Sequence, residues 1–167
     1  CWVMNYPDIG QENDGKAIDS GCLSRTYEGH KGTDFAIKDV KAMQAGVDVL
    51  AAYNGTVLRL RDGEADRLPT KEELETAKNS KKECGNGVLI DHGEIGGAKW
   101  QSMYCHMKKG TIAVKIGQQV KTGEKIGEVG LSGITQYPHL HIGITKDGKV
   151  IDPLTGQDTA TPCGRDS

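Results

Sequence analysis

Read for alternation of apolar and polar residues, the chain breaks into short pieces of period two, as expected of strands with one buried face. "TDFAIK" (33–38) is the first clear piece, and "GTVLRLR" (55–61) the second, with Val57 and Leu58 apolar and Arg59 and Arg61 charged. "GNGVLIDHG" (85–93) and "AKWQSMYCHM" (98–107) read as two strands around a Gly-rich turn. "HLHIGIT" (139–145) is a strand, "KDG" a turn, and "KVID" (149–152) its partner. Between these, "AVKIGQQVKTGEKIGEVG" (113–130) spaces Gly117, Gly123, Gly127 and Gly130 among short Val/Ile pieces, which predicts tight hairpins and corners. The charged stretch 62–83 departs from this pattern. Its "TKEE" puts Thr70 three residues before Glu73, a capping box, and predicts one short exposed helix from about Pro69 to Lys78, inserted between strands; the default reading of the insertion is a solvated segment with no function. Residues 1–29 are polar and turn-rich and read as an N-terminal arm; 154–167 read as a loosely ordered tail. The expectation is a single mainly-β domain over 30–153, built on an antiparallel sheet with Gly-rich hairpins.

Composition sharpens the picture. Among 167 residues there are 23 glycines and 5% aromatics, which favours short strands and turns around one core over a helical bundle. With a net charge of −2 and no basic stripe, nothing in the chain suits nucleic acid or an anionic membrane surface. No apolar run approaches the roughly 18 residues of a spanning helix. The first residue is Cys1 rather than Met, as in a processed secreted protein.

Cys1, Cys22, Cys84, Cys105 and Cys163 show no C-x-x-C spacing, so a cysteine-only zinc site is not expected. Disulfides fit better and imply an oxidising compartment, secreted or periplasmic. The expected bridges are Cys1–Cys22 and Cys84–Cys105, with Cys163 unpaired or intermolecular. The alternative is a set of small buried thiols.

The histidines carry the candidate chemistry. Residues i and i+2 of a strand face the same side, so His139 and His141 project together. Two imidazoles on a core face need partners, whereas a solvent face accepts them without consequence. "HKGTD" sets His30 four residues before Asp34, ligand types suited to zinc, with Gly32 between them so that the backbone can aim both at one point. Together these make four candidate ligands, one more than a catalytic zinc takes. In "YCHM", strict alternation puts Trp100, Ser102, Tyr104 and His106 on one face and Cys105 on the other, free to bridge Cys84. His92 reads as a structural or site-rim histidine.

"GHKGTDFAI", "YCHMKKGT" and "YPHLHIGI" resemble the ordered motifs H-x-x-x-D, Y-x-H and H-x-H of the lysostaphin/LytM-type zinc endopeptidases. "AAYNGTV", "GNGVLIDHG" and "VKIGQQVKTGEKIGEVGLSG" are similar to the connecting segments of that family, so the resemblance covers roughly 29–153. It implies an antiparallel β fold with an open groove and one zinc per chain held by His30, Asp34 and His141. His106 and His139 become the catalytic pair. The implied activity is hydrolysis of the peptide cross-links of bacterial peptidoglycan through a metal-activated water. The longer 62–83 insertion and the cysteines depart from the family pattern and bear on groove shape. Two rival readings follow from the same residues: a catalytically inactive zinc-binding regulator of the cell wall, which should lack a ligand, and a metal-buffering periplasmic protein, which binds without hydrolysis.

Overall fold

A computed structural model describes residues 1–10, 16–80 and 82–158. In chain order the elements are β1 (Trp2–Asn5), β2 (Thr33–Ala36), α1 (Val40–Ala45), β3 (Asp48–Leu50), β4 (Gly55–Arg61), α2 (Lys71–Ser80), β5 (Asn86–Ile95), β6 (Ala98–Met107), β7 (Gln119–Val120), β8 (Lys125–Glu128), β9 (His139–Lys146) and β10 (Lys149–Ile151). Eight strands form one sheet in the order β1-β2-β9-β6-β5-β4-β7, with β10 paired to β9; β3 and β8 make a second, two-stranded sheet. Neighbours pair antiparallel throughout. The large sheet stays open rather than closing into a barrel.

The long hairpin β5–β6 is the spine. Gly96 and Gly97 both have positive φ, 62° and 79°, as a two-residue turn matched to strand twist requires. Val88 and Ile90 of β5 and Tyr104 of β6 point inward and meet Val49 of β3, Ile126 of β8 and Met43 of α1 in the core. The one polar group this core must satisfy on Tyr104 is its hydroxyl, which accepts from the Ala52 amide at 2.8 Å and contacts Ser102 at 3.0 Å. His92 ends that chain. Its Nδ1 donates to the Asn54 carbonyl at 2.9 Å, and its Nε2 meets Ser102 Oγ at 2.8 Å. His92 is thus structural.

The capping box forms as expected: the Glu73 amide donates to Thr70 Oγ1 at 3.2 Å, and the Thr70 amide to Glu73 Oε2 at 2.7 Å. The helix runs about two residues later than expected. A second helix, α1, has only six residues, too few for a helical period to show in sequence; Asp39 caps it by accepting from the Ala42 amide. The arm is also more ordered than expected, since Trp2–Asn5 adds an edge strand to β2.

Cys84 and Cys105 are bridged, with Cα atoms 4.8 Å apart. The Cys1–Cys22 pair does not form: Cys1 is free and exposed, while Cys22 is disulfide-bonded. The reason is the direction of β1. Its first residues lie beside Ala36, whereas the loop carrying Cys22 docks at the other end, where the Tyr6 amide meets Arg25 O. Five extended residues at about 3.3 Å each separate those ends, beyond the reach of one bridge. The expectations for Cys163 and for 159–167 fall outside the described residues.

Candidate metal centre

Strand register brings the first residues together. Asp34 of β2 lies directly opposite His141 of β9, and Ala36 opposite His139, so both histidines share a face with Asp34. His30 arrives from the turn before β2, its amide bonded to Tyr27 O at 3.0 Å. Gly32 serves close approach rather than bending. A Cβ there would lie 2.5 Å from Ile142 O and 2.6 Å from His141 Nε2.

Three atoms converge. Asp34 Oδ1 lies 3.0 Å from His30 Nε2 and 2.9 Å from His141 Nδ1, and the two nitrogens are 3.1 Å apart. The His30 tautomer follows from the carbonyl beside it. His30 Nδ1 donates to Tyr6 O at 2.7 Å, so the neutral ring turns a lone pair at Nε2 toward the carboxylate. Burial pushes the Asp34 carboxyl up, but hydrogen bonds to His139, His141 and His30 outweigh it and hold the group well below the usual carboxylate range. Burial pushes His141 down, favouring the neutral ring. Electron-pair donors thus face one another at about 3 Å, and a single shared proton relieves only one contact. A cation relieves all three. Tetrahedral zinc with bonds of about 2.0–2.2 Å would set its ligand atoms about 3.3 Å apart, so the donor set and its spacing fit that ion.

Residues invisible to sequence reasoning support this triangle. Asn5 Nδ2 donates to Asp34 Oδ2 at 2.9 Å and to the Tyr137 hydroxyl at 3.2 Å, which leaves Oδ1 for the histidines. The Tyr27 ring stacks on His30 with centroids 4.3 Å apart. Asn5 lies 29 residues from Asp34, and no local spacing could have announced it.

His106 and His139 stand beside the triangle, ring centroids 4.6 Å apart, with His139 Nε2 3.4 Å from Asp34 Oδ1. Each has its Nδ1 proton committed to a carbonyl: His139 to Tyr137 O at 3.0 Å, His106 to Ser132 O at 2.8 Å. Burial, with His139 next to it, pushes His106 down to about 3, so its ring is neutral at pH 7 with the lone pair on Nε2.

Alternation misplaced β6. Cys105 is paired with His141 and so belongs to the metal-site face, not the opposite one. A regular strand would then send His106 into the core with Tyr104. A bulge prevents this. Val88 pairs with Tyr104, yet Asn86 pairs with Met107, a slip of one residue, and His106 sits at φ 60°. The bulge returns His106 to the face that carries His139 and His141.

The five residues singled out by the sequence are therefore clustered. Residues 28–153 match peptidase family M23. Similar proteins include an uncharacterized metalloprotease of Haemophilus influenzae, 31% identical over 138 residues, 83% of this chain and 23% of that protein. The peptidoglycan DD-endopeptidase ShyA of Vibrio cholerae is 30% identical over 125 residues, 75% of this chain and 22% of that protein. The murein hydrolase activator NlpD of Salmonella typhimurium is 29% identical over 141 residues, 84% of this chain and 29% of that protein. The chain spans about a quarter of the length of these relatives. A zinc-containing peptidase from Vibrio cholerae has the same fold, with a TM-score of 0.61 at 22% identity over 93% of this chain and 36% of that one. The family match spans residues 28–153, the stretch that holds all three ordered motifs from His30 to His141, and on that ground the chain belongs to peptidase family M23.

Proposed function

We propose that the chain is a zinc-dependent endopeptidase that hydrolyses peptide cross-links of bacterial peptidoglycan in a secreted or periplasmic setting. The observation that carries this reading is the triangle of His30 Nε2, Asp34 Oδ1 and His141 Nδ1, all donors within 3.1 Å of one another, with the imidazoles of His106 and His139 beside it. These three residues would hold the zinc and leave a fourth position for water or substrate. Bound there, zinc supplies a Lewis acid and lowers the pKa of a coordinated water toward ~7.

The remaining work falls to His106 and His139. With Nδ1–H tied to a carbonyl in each ring, Nε2 is left as the proton acceptor. Either ring can take a proton from the attacking water. Once protonated, it can donate to the leaving amine or hydrogen-bond the oxyanion. The catalytic unit is 30–153, and Asn5 and Tyr6 of the arm complete it by holding Asp34 and His30. The Cys84–Cys105 bridge suits an oxidising compartment.

That one relative is named a murein hydrolase activator supports a second reading, a regulator without hydrolysis. The decisive experiment is digestion of purified wall fragments from several bacteria with zinc-loaded protein, products identified by mass. New peptide ends in a cross-linked muropeptide support the endopeptidase. Intact cross-links in every wall type, from protein with full metal content, would replace it with the regulator.

A further inference from the structure

The left-handed backbone at His106 has an obvious competitor. Without the bulge, β6 would continue in register, Asn86 would face His106, and the imidazole would turn to the other side of the sheet. A non-glycine residue at φ 60° is strained and persists only where its surroundings over-determine it. Those surroundings include the Gly130 amide, which donates to His106 O at 2.9 Å, and the two ends of the 62–83 insertion with the cysteine that follows it.

At the exit end, the His106 amide donates to Cys84 O at 2.8 Å, and the neighbouring Cys105 is bonded to Cys84 through sulfur. The same segment grips the loop that orients the ring. The Ile134 amide donates to Glu83 O at 3.0 Å, and the Asn86 amide to Ser132 Oγ at 2.9 Å. A Cβ on Gly85 would lie 2.4 Å from the Ser132 carbonyl carbon, so the two backbones are in direct contact. At the entry end, Asp66 accepts from the Leu131 amide at 2.8 Å and from the Lys109 amide at 2.9 Å. Asp62 accepts from the Gly110 amide at 2.8 Å. Asn86, fully buried, ties Glu64 to the carbonyl of Met107. These bonds fall on the residues just after His106 and on those flanking Ser132, whose carbonyl fixes the His106 ring.

We propose that segment 62–84 is a brace for His106, in which Cys84, Cys105 and Asp66 are positioning residues that keep its imidazole facing His139 and His141. The proposal rests on the reading of His106 as part of the catalytic pair. It gives the insertion a role independent of α2, which lies between the two attachment points. A displacement of about 1 Å at a reacting group can cost ~10²-fold in rate, so a loosened brace should lower kcat while leaving metal and substrate binding intact.

The test uses Asp66→Ala and the double variant Cys84→Ala/Cys105→Ala, each compared with the parent chain. Metal content, kcat and KM on cross-linked muropeptides are measured, and 15N-histidine NMR reports the tautomer of His106. The expected result is full metal content, unchanged KM, kcat down by about tenfold to a hundredfold, and loss of the single Nδ1–H tautomer of His106. Parent-like kcat and an unaltered His106 tautomer in both variants would overturn the brace. So would a kcat loss that merely tracks loss of metal. If the double variant does not fold, Asp66→Ala decides alone, since Asp66 is only half-buried and lies outside the core. If the parent itself does not hydrolyse walls, the functional reading fails, but the tautomer still decides the brace.

Discussion

Asp34 and His141 face each other across β2 and β9, and Oδ1 of the one lies 2.9 Å from Nδ1 of the other. His139, two residues earlier on β9, reaches the same oxygen only at 3.4 Å and keeps its own Nδ1 on a backbone carbonyl. One strand thus presents two imidazoles in different states of commitment.

Replacement should separate them. His141→Ala removes one of three metal donors, and both metal and activity should be lost. His139→Ala and His106→Ala should keep about one zinc per chain and lose about 10²–10⁴-fold in turnover, the usual share of acid–base assistance. Metal analysis and muropeptide turnover on the same preparations check this. A His139→Ala protein that drops its metal while His141→Ala keeps it would reverse the assignment.

Much of this is legible in the sequence. His139 and His141 share a face because a strand has period two, and the Thr70–Glu73 box marks a helix start because its partners are three residues apart. Both signals are local. What failed was non-local or irregular. The bulge at His106 is a slip in pairing with Asn86, a residue 20 positions away, and alternation within β6 cannot register it. Asn5 reaches Asp34 only because β1 docks on the edge of β2. The partner of Cys22 depends on which ends of chain segments meet, which spacing does not encode.

Asn5 leads to a second prediction. Its amide satisfies Asp34 Oδ2, and such outer hydrogen bonds to a ligand typically contribute 10–100-fold in metal affinity. Asn5→Ala should weaken zinc by about that factor in a chelator competition. Its turnover at saturating zinc should stay near the parent value. An unchanged affinity would mean that Oδ2 finds an equivalent partner in solvent.

The buried imidazoles set the acid limit of the metal-free protein. Burial, with His139 beside it, pushes the folded His106 down to about 3, against about 6.5 for an exposed histidine. A depressed folded pKa means that the unfolded chain binds the proton first. Stability is therefore fully present above about pH 6.5 and declines as pH falls toward 3, by up to about 1.4 kcal/mol per unit from this group. Asp34, also depressed, adds a further loss below the ordinary carboxylate range near 4. Urea unfolding of metal-free protein at pH 7.5 and 5 should show the decline, and His106→Gln should reduce it.

Gly32 gives the most stringent test of the packing around the centre. It lies between His30 and Asp34, where β2 enters against β9. An added Cβ would meet a backbone oxygen, Ile142 O, at 2.5 Å and the ring of His141 at 2.6 Å. Neither obstacle can yield cheaply. Moving the carbonyl breaks the β2–β9 register at Thr33↔Ile142, and moving the ring takes Nδ1 out of the triangle. Gly32→Ala should therefore cost about 1–3 kcal/mol of stability, as overpacking does. Zinc affinity should fall by at least about tenfold, because His141 is displaced. Thermal unfolding of the metal-free form measures the first effect, and chelator competition the second. If stability falls while affinity holds, the strands part without disturbing His141; if both hold, the close approach at Gly32 is not what seats the histidine.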